Sequence, residues 1–412
     1  MKILWISHFI PYPPKGGVLQ RGYHILRQLS QYHEVDLLAF NQKNLMAPLV
    51  KNIEEGTTEA RKHLLEFCRR VNFFDIHNDS SSFYKNLLAI KSLFTNFPYT
   101  LNWLLSDQFE KRIKELVEQE SYDFIHFDTI SLAPFKSVCG NIPASLDHHN
   151  IESHMLFRRA VKEKNLLKKW YFVQEAKRLE KFEKLFCPQF LFNFTCSDID
   201  AERLKIIAPT SQIHTIPNGV DVKYFNPEPE KEKINSLLFV GTLSWYPNIE
   251  AVNFIANNIW PFLKNKLPGL KIDIIGANPP DSIRKIAQND PDFHVHGFVD
   301  DIIPFFKRSK CYICPIKDGG GTKLKIIDAL SMGMAIVANP IACEGINVED
   351  QFNVVFAETS DDYIKAIKFI LEQDAFREKL QTHARKLAVD YYSYEPIGKK
   401  LSSLYDSYKV KV

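Results

Sequence analysis

Short runs of apolar, β-prone residues alternate along this chain with amphipathic stretches of helical period. In the first half, six such runs are predicted strands, at Lys2–His8, Glu34–Phe40, Val71–Asp75, Tyr122–Phe127, Ala144–His149 and Phe190–Ser197. Helical patterns lie between them, at Val18–Gln31, Thr57–Arg70, Asp107–Glu120 and Glu152–Phe186. Because parallel strands need crossover helices between them, this alternation predicts a parallel sheet covered by helices, an α/β fold.

The second half repeats the alternation. Its predicted strands are Ser236–Val240, Leu270–Ile275, Phe293–His296, Cys311–Ile316, Ala335–Ala338 and Asn353–Phe356, with helical patterns at Asn248–Lys266, Thr322–Met332 and Asp361–Ala388. A chain of 412 residues suits two domains of about 200 residues each. The turn Ile216–Asp221 joins the halves, and the Pro-rich, charged stretch 226–233 is a predicted exposed linker.

Composition excludes several classes of protein. A net charge of only +3 gives no support to a nucleic-acid partner. No stretch approaches the roughly 20 apolar residues of a membrane span, and Lys2–His8 is too short for a signal peptide. We therefore expect a cytoplasmic protein. The seven cysteines are scattered, and Cys311 and Cys314 are predicted core thiols of a buried strand.

The run Asp318–Asp328 combines three glycines with a predicted helix. Gly319, Gly320 and Gly321 lack Cβ atoms, so their backbone can come close to a ligand. We expect Thr322 to cap the helix, whose free N–H groups would face a phosphate. Lys323 and Lys325 oppose the helix dipole, which an anionic ligand would explain. The alternative is a glycine-rich loop with two solvated lysines.

Several short motifs occur in an order that is typical of one enzyme family. They are the opening strand with Pro11–Gly17 and Arg21, the turn Ile216–Asp221 with Phe225, Phe239–Gly241, Ile274–Gly276, His296–Val299 and the run from Gly319 to Gly333. On these motifs the chain resembles, over nearly its whole length, the retaining glycosyltransferases of the two-Rossmann (GT-B) class, family four, also called group 1.

The resemblance implies two Rossmann-like domains whose parallel sheets face each other across a cleft. Residues 1–217 would bind the acceptor, residues 218–391 would bind a nucleotide sugar, and a terminal helix in 392–412 would return to the first domain. The implied reaction transfers a sugar with retention to a glycan or lipid-linked acceptor, in surface polysaccharide biosynthesis and without a metal ion or other cofactor. A nucleotide-sugar epimerase of the same fold and a non-catalytic nucleotide-sugar-binding regulator are the alternatives.

The resemblance assigns donor contacts to Gly241 and Val299 and shows two departures from the family. Asp328 stands where the family has a glutamate that binds the ribose, and an exposed helical aspartate is the alternative. Gly320 stands where the family has its first glutamate, which contacts the donor sugar. After Gly241 the family often has Arg and then Lys, both absent here. We predict that Lys323 and Lys325 compensate the pyrophosphate charge instead.

In the first half, candidate residues lie where strands end. Gly16 and Gly17 would approach the donor phosphates or the acceptor, unless they form a simple βα turn. His126 and Asp128 end a strand at the expected cleft edge, where the family commonly has a histidine. We expect one of the two to face the reacting carbon, and a buried structural histidine is the alternative.

The segment Asp147–Ser153 closes one predicted strand and opens a long helix. His148, His149 and Asn150 are predicted to line the acceptor side of the cleft, although Asn150 or Ser153 could instead cap the helix. Adjacent strand residues point to opposite faces, so Asp147, His148 and His149 are not predicted to share a metal ion.

The predicted helix Glu152–Phe186 is strongly basic. It has ten Lys or Arg against five Glu, and interleaved with them are Trp170, Tyr171, Phe172, Phe182 and Phe186. Such a helix can lie on an anionic membrane at its inner face, where lipid-linked acceptors reside, or pack on its own domain with a solvated outer face.

Overall fold

The computed structural model describes residues 1–15, 17–76, 82–227 and 234–409. The chain divides into two compact units, each with its own parallel sheet. The first unit contains Met1–Pro217 and the terminal segment from Ile397, and the second contains Asn218–Pro396. Residues 392–396, which the sequence prediction grouped with the terminal segment, therefore belong to the second unit.

The first unit is built on a seven-stranded sheet in the order β3-β2-β1-β4-β5-β6-β7. All of its neighbouring strands are parallel. The strands are β1 (Lys2–Ser7), β2 (Glu34–Asn41), β3 (Arg70–Asp75), β4 (Phe124–Phe127), β5 (Ala144–His148), β6 (Phe192–Thr195) and β7 (Ile213–Thr215). The central strands are almost wholly buried, as expected for a sheet covered on both faces.

Within the described part of Met1–Pro217, nine α-helices lie between or after these strands. They are α1 (Gly17–Leu29), α2 (Lys43–Met46), α3 (Ile53–Leu64), α4 (Ser82–Ser92), α5 (Tyr99–Asn102), α6 (Asp107–Gln119), α7 (Glu152–Lys162), α8 (Leu166–Phe186) and α9 (Asp198–Ile207). Local sequence sets several starts, because Asn52, Ser106 and Ser197 accept hydrogen bonds from the first free N–H groups of their helices.

The second unit has a six-stranded sheet in the order β10-β9-β8-β11-β12-β13, again parallel throughout. Its strands are β8 (Ile234–Val240), β9 (Lys271–Ile275), β10 (Phe293–Gly297), β11 (Ser309–Cys314), β12 (Ala335–Ala338) and β13 (Val355–Phe356). Its helices are α10 (Tyr246–Phe254), α11 (Trp260–Lys266), α12 (Asp281–Asn289), α13 (Ile303–Arg308), α14 (Leu324–Ser331), α15 (Ser360–Glu372) and α16 (Asp374–Tyr391). Cys311 and Cys314 are free and buried on β11, as predicted.

The last helix, α17 (Tyr394–Lys409), completes the first unit rather than the second. Tyr405 is fully buried, and its hydroxyl lies 2.8 Å from Nδ1 of His126 and 2.9 Å from the Ser145 hydroxyl. Ser402 also binds Nε2 of His33 at 2.8 Å. The predicted return of the terminal helix to the first domain is thus confirmed, and the helix is part of that domain's core.

Three long predicted helices are interrupted, each for a local reason. Asn165 ends the Glu152–Phe186 pattern because its side chain caps α8, accepting from the N–H groups of Leu167 and Lys168. In the 248–266 stretch, Pro261 cannot donate a helical hydrogen bond, and a π-turn precedes it. In the 361–388 stretch, the break falls at Gln373, between α15 and α16.

In the first unit, the predicted elements did not include strand β7 or helices α2, α4, α5 and α9. In the predicted linker 226–233, residues 228–233 lie outside the described residues. Among the described helices, none combines the length and apolarity needed to cross a membrane.

Candidate active site

In the second unit, the strand order reverses between β8 and β11, which are neighbours in space but not in sequence. Ligands of open parallel sheets bind at such switch points, beyond the carboxyl ends of the strands. Two loops leave the sheet here: 241–245 after β8, and 317–323 after β11. Gly241, Gly320 and Gly321 are all placed at this end of the sheet.

The conformation of the glycine loop is fixed by hydrogen bonds and by its glycines. Gly319 and Gly321 have φ angles of 99° and 68°, which favour glycine. The carboxylate of Asp318 accepts hydrogen bonds from the Gly319 N–H at 2.5 Å and from the Tyr246 hydroxyl. A Cβ on Gly319 would also lie 2.9 Å from the indole of Trp245. The loop therefore needs glycine for both conformation and space.

Lys323 supports this loop from inside. Its side chain is only 5% exposed, and Nζ donates to the carbonyls of Gly319, Gly320 and Gly321 at 2.7, 3.3 and 3.0 Å. The Lys323 ammonium therefore donates to these loop carbonyls, whereas the sequence hypothesis expected it to compensate the charge of a pyrophosphate. Lys323 is also the N-cap residue of α14, so Thr322 does not cap that helix as expected.

Lys325 lies where the chain lacks the family's Arg and Lys. Its Nζ donates to Oδ1 of Asn248 at 2.5 Å and lies 5.2 Å from the centre of the Phe239 ring. A Cβ on Gly241 would be only 2.4 Å from this ammonium, so the glycine provides its space. Burial lowers the pKa of Lys325 to about 8. A cation held here at a cost is suited to binding an anion.

Asp328 follows Lys325 by three residues and therefore shares its face of α14. Its Oδ1 is buried and has no hydrogen-bond partner among the described residues. Burial raises the pKa of Asp328 to about 8, and the nearby charge of Lys325 opposes the rise only partly. A buried carboxyl oxygen without a partner is a candidate acceptor for ligand hydroxyls. Val299, beyond β10, is half-buried against the core of this unit.

In the first unit, the strand order reverses between β1 and β4, and three polar side chains meet at that edge. Asp128 follows β4, His8 follows β1, and His149 follows β5. The Asp128 carboxylate lies 3.2 Å from Nδ1 of His8 and 3.0 Å from Nε2 of His149, and it accepts from the Ser7 hydroxyl at 2.8 Å. We call Asp128, His8 and His149 the Asp128 cluster.

The charges of this cluster follow from its geometry. Burial would raise the pKa of Asp128, but His149 and then His8 hold it well below its usual range. Although burial opposes it, Asp128 raises the pKa of His149, whereas burial lowers that of His8. Burial also raises the pKa of the neighbouring Glu152 to about 7. The site combines a fixed anion with groups that can carry a proton near neutrality.

Arg21 and Asp147 form a buried ion pair beside this cluster. The guanidinium of Arg21 donates to both carboxylate oxygens of Asp147, at 2.9 Å each from Nη2. It also donates to the carbonyls of Ile216 and Pro217, at 2.9 and 3.1 Å. Arg21 thus neutralises Asp147 and fixes the end of the first unit.

Two of the predicted site histidines point into the interior. His126 stacks on Trp5 with ring centres 3.7 Å apart and binds Tyr405 and Ser145, and burial lowers its pKa to about 4. His148 lies 3.3 Å from Oδ1 of Asn193, and burial lowers its pKa also to about 4. The structure therefore brings His149 into hydrogen-bond distance of Asp128, whereas His126 and His148 have other hydrogen-bond partners.

The remaining predicted positions lie apart from the Asp128 cluster. Gly16 lies outside the described residues, and Gly17 is the exposed first residue of α1. Asn150 is half-buried before α7, whose N-cap is Ile151, so neither Asn150 nor Ser153 caps it. Ser153 instead donates from its N–H to the Glu183 carboxylate at 3.1 Å.

Sequence reasoning missed four residues of these sites: His8, Glu152, Trp245 and Asn248. His8 ends the first strand and was identifiable from that position, since β1 is central in such sheets. Asn248 and Trp245 were visible only as departures from a family motif. Glu152 was recognised only from the structure, where burial raises its pKa.

Three sets of described side chains, two of which share Asp128, have ligand atoms within 4.8 Å of one another, close enough to share a metal ion. They are His8, Asp128 and His149; His126, Asp128 and Asp147; and Asp273, His294 and His296. Each has other partners already. Asp273, for example, binds His296 at 2.6 Å and Arg308 at 2.9 Å.

Solved structures share the fold of this chain over its whole length. Sucrose-phosphate synthase from Thermosynechococcus elongatus superposes with a TM-score of 0.71 at 13% identity, covering 100% of both chains. HepE from Anabaena, in complex with UDP and glucose, gives a TM-score of 0.64 at 13% identity, covering 99% of this chain and 100% of its own. The chain thus has the GT-B fold, with two Rossmann-like domains.

Sequence comparison adds a family match within the second unit. Residues 234–373, about a third of the chain, match the model of the family described as glycosyl transferases group 1. A protein of Klebsiella pneumoniae, called an uncharacterized 44.6 kDa protein in the cps region, is 23% identical over 385 residues, covering 89% of this chain and 90% of that protein.

Proposed function

We propose that this chain is a retaining hexosyltransferase that moves a sugar from a nucleotide-sugar donor to a glycan or lipid-linked acceptor. The observation that carries the proposal is Lys325, a half-buried cation at the switch point of the second sheet, beside a glycine loop. Two relatives support the setting. HepE was solved with UDP and glucose, and the Klebsiella relative is encoded in a cps region, in keeping with surface polysaccharide biosynthesis.

The second unit would bind the donor. Lys325 and the free N–H groups at the start of α14 would face the pyrophosphate, because both carry positive charge. Asp328 would accept hydrogen bonds from the ribose hydroxyls, and its shorter side chain replaces the family's glutamate. Gly320 leaves the donor sugar without the family's other carboxylate. Trp245, exposed beside the glycine loop, supplies an apolar face for the sugar or base.

In the reaction, the bond between the anomeric carbon and the phosphate oxygen breaks, and a bond to an acceptor hydroxyl oxygen forms. The hydroxyl proton leaves with the nucleoside diphosphate. Positive charge develops on the sugar ring, which the ionised Asp128 would stabilise, and negative charge develops on the diphosphate, which Lys325 would stabilise. With these charges in place, transfer needs no metal ion. Retention rests on the resemblance to the family.

The Asp128 cluster replaces His126 in this proposal. Asp128 and His149 would contact the reacting sugar and acceptor, and His8 would hold the Asp128 carboxylate in position. His126 and His148 would not contact the substrates and would only stabilise the core on which Asp128 and His149 rest. The reaction would take place in the cytoplasm at the inner face of the membrane, where nucleotide sugars and lipid-linked acceptors meet.

A non-catalytic regulator that binds a nucleotide sugar is the second candidate, and Gly320 favours it. Product formation separates the two. We would incubate the protein with radiolabelled nucleotide sugars and acceptor glycans and determine the anomeric configuration of any product by NMR. Asp128→Asn should abolish transfer but keep donor binding, whereas the exposed Asp406→Asn should leave both unchanged. Donor binding without turnover in the unmodified protein would support the regulator, and conversion of the donor without an acceptor would support an epimerase.

A further inference from the structure

The hairpin of α7 and α8 ends in a cluster of exposed apolar side chains. Trp170 is 55% exposed and Leu167 is 80% exposed, and Val161 and Leu166 are exposed to a similar or greater degree than Trp170. All four lie within ten residues at the turn between the helices. Large apolar side chains grouped in this way on a surface mark an interaction site.

Helix α4 adds a second apolar face. Tyr84, Leu87, Ile90 and Phe94 are exposed at spacings of three or four residues, and Phe94 is 86% exposed. This spacing places the first three along one side of α4, and Phe94 follows two residues after its end. This side of the segment therefore exposes several large apolar side chains.

The two apolar faces are linked through α8. The guanidinium of Arg178 donates to the carbonyls of Ser92, Thr95 and Phe97 at 2.8, 2.6 and 2.9 Å, so the end of α4 is fixed against α8. Arg178 lies eight residues from Trp170, or roughly 12 Å along the helix. We call the four hairpin residues together with Tyr84, Leu87, Ile90 and Phe94 the apolar tip.

Lysines surround the hairpin part of the apolar tip. Lys162, Lys164, Lys168 and Lys169 are all exposed there, and Lys91 is exposed at the end of α4. The acidic residue among them, Glu163, accepts a hydrogen bond from the Asn165 N–H at 2.9 Å. The surface is thus apolar at its centre and positive at its edge.

We propose that the apolar tip and its lysines dock this protein on the surface of an anionic lipid bilayer. Tryptophan and leucine side chains enter the region between headgroups and acyl chains, and lysines are attracted to anionic headgroups. A second copy of the chain fits less well, because its lysines would face these lysines. The surface shares no residue with either candidate site, so the inference does not depend on the proposed function.

This surface differs from the one expected from the sequence. The sequence hypothesis used the aromatic residues along the whole 152–186 stretch, but Phe182 and Phe186 pack against the core of the first unit. Of the five aromatic residues named in that stretch, Trp170 is the exposed one. The docking surface therefore lies at the hairpin turn and on α4.

The test is flotation of the full chain with vesicles of phosphatidylcholine alone or with a third of phosphatidylglycerol, without donor or acceptor. Binding should require the anionic lipid. Two variants remove the proposed contacts, L166S/L167S/W170S and K168E/K169E, and each should weaken binding at least about tenfold. The matched controls, Ile206→Ser and Lys386→Glu, change an exposed isoleucine and an exposed lysine elsewhere and should bind as the unmodified protein does.

Three results would overturn the proposal: no binding to anionic vesicles, equal loss in the controls, or binding unaffected by both tip variants. Size-exclusion chromatography provides a further check. If L166S/L167S/W170S converted a dimer into a monomer, the apolar tip would be an interface between copies instead. Transfer to a water-soluble acceptor should be unchanged in the tip variants, so failure of docking and failure of the proposed function are distinguishable.

Discussion

Lys325→Met should stabilise the ligand-free second unit and weaken nucleotide binding at the same time. Burial lowers the pKa of Lys325 from 10.5 to about 8, so holding the charge in the folded state at pH 7 costs about 3 kcal/mol. Methionine removes that cost but leaves Oδ1 of Asn248 without its hydrogen bond, a loss of about 1 kcal/mol. The free energy of unfolding should therefore increase by about 2 kcal/mol.

The pH dependence has a defined sign. Because the folded-state pKa is lower than the unfolded one, the unfolded state binds more protons between pH 8 and 10.5, and stability rises across that range. This rise should be absent in Lys325→Met. Loss of the Lys325 charge should also raise the pKa of Asp328 further, because that charge opposes the effect of burial.

Ligand binding should change in the opposite direction. A hydrogen bond to a charged group contributes about 1.5–3 kcal/mol, so affinity for a nucleoside diphosphate should fall roughly 10- to 100-fold. The loss should be the same for every base, since Lys325 would contact the pyrophosphate. Denaturant unfolding and calorimetric titration against a panel of nucleoside diphosphates measure the two effects.

Two variants serve as comparisons. The exposed Lys285→Met should change neither quantity. Lys323→Met should destabilise the unit, because three loop carbonyls lose their donor. If Lys325→Met lowered stability and left nucleotide affinity unchanged, Lys325 would be a structural residue and the proposed donor site would be wrong.

Two further predictions concern the first unit. The buried His148 stays neutral down to about pH 4, while the unfolded chain takes up its proton near 6.5, so stability falls as the pH falls through this window. His148→Leu should reduce that slope by up to about 1.4 kcal/mol per pH unit, as urea unfolding at several pH values would measure. Tyr405→Phe should lower the stability of the first unit by about 1 kcal/mol without changing nucleotide affinity, and an equal effect on the second unit would contradict this assignment.

The fold was largely predictable because its determinants are local and repeated. Apolar runs such as Leu237–Val240 and Ile313–Ile316 have the length of buried strands, and the helical patterns between them leave few alternatives to parallel sheets. The GT-B fold was confirmed, and residues 234–373 match the group 1 family model. Strand β7 was missed because Ile213–Thr215 is only three residues long and half-buried, which gives too short a pattern to recognise.

The candidate sites were less predictable, because orientation decides them. Lys323 and Lys325 are two residues apart with the same chemistry, yet one binds loop carbonyls and the other faces Gly241 and Asn248. Their difference depends on where the loop ends and α14 begins. His126 looked suitable at a strand end, but its side chain meets Tyr405, which is 279 residues away in sequence. Contacts of that range leave no local pattern.

The discontinuity of the first unit affects how the protein is made. Tyr405 of α17 is buried in the core of the first unit, whose other residues are the first 217 of the chain. During synthesis, the surface that α17 covers therefore stays exposed until the whole second unit has been made. During that interval, the apolar surface beneath Phe124 and Phe194 is open to solvent, chaperones and proteases. Shortened chains that lack α17 should therefore accumulate as degraded or aggregated material, even though the candidate active-site residues lie far upstream.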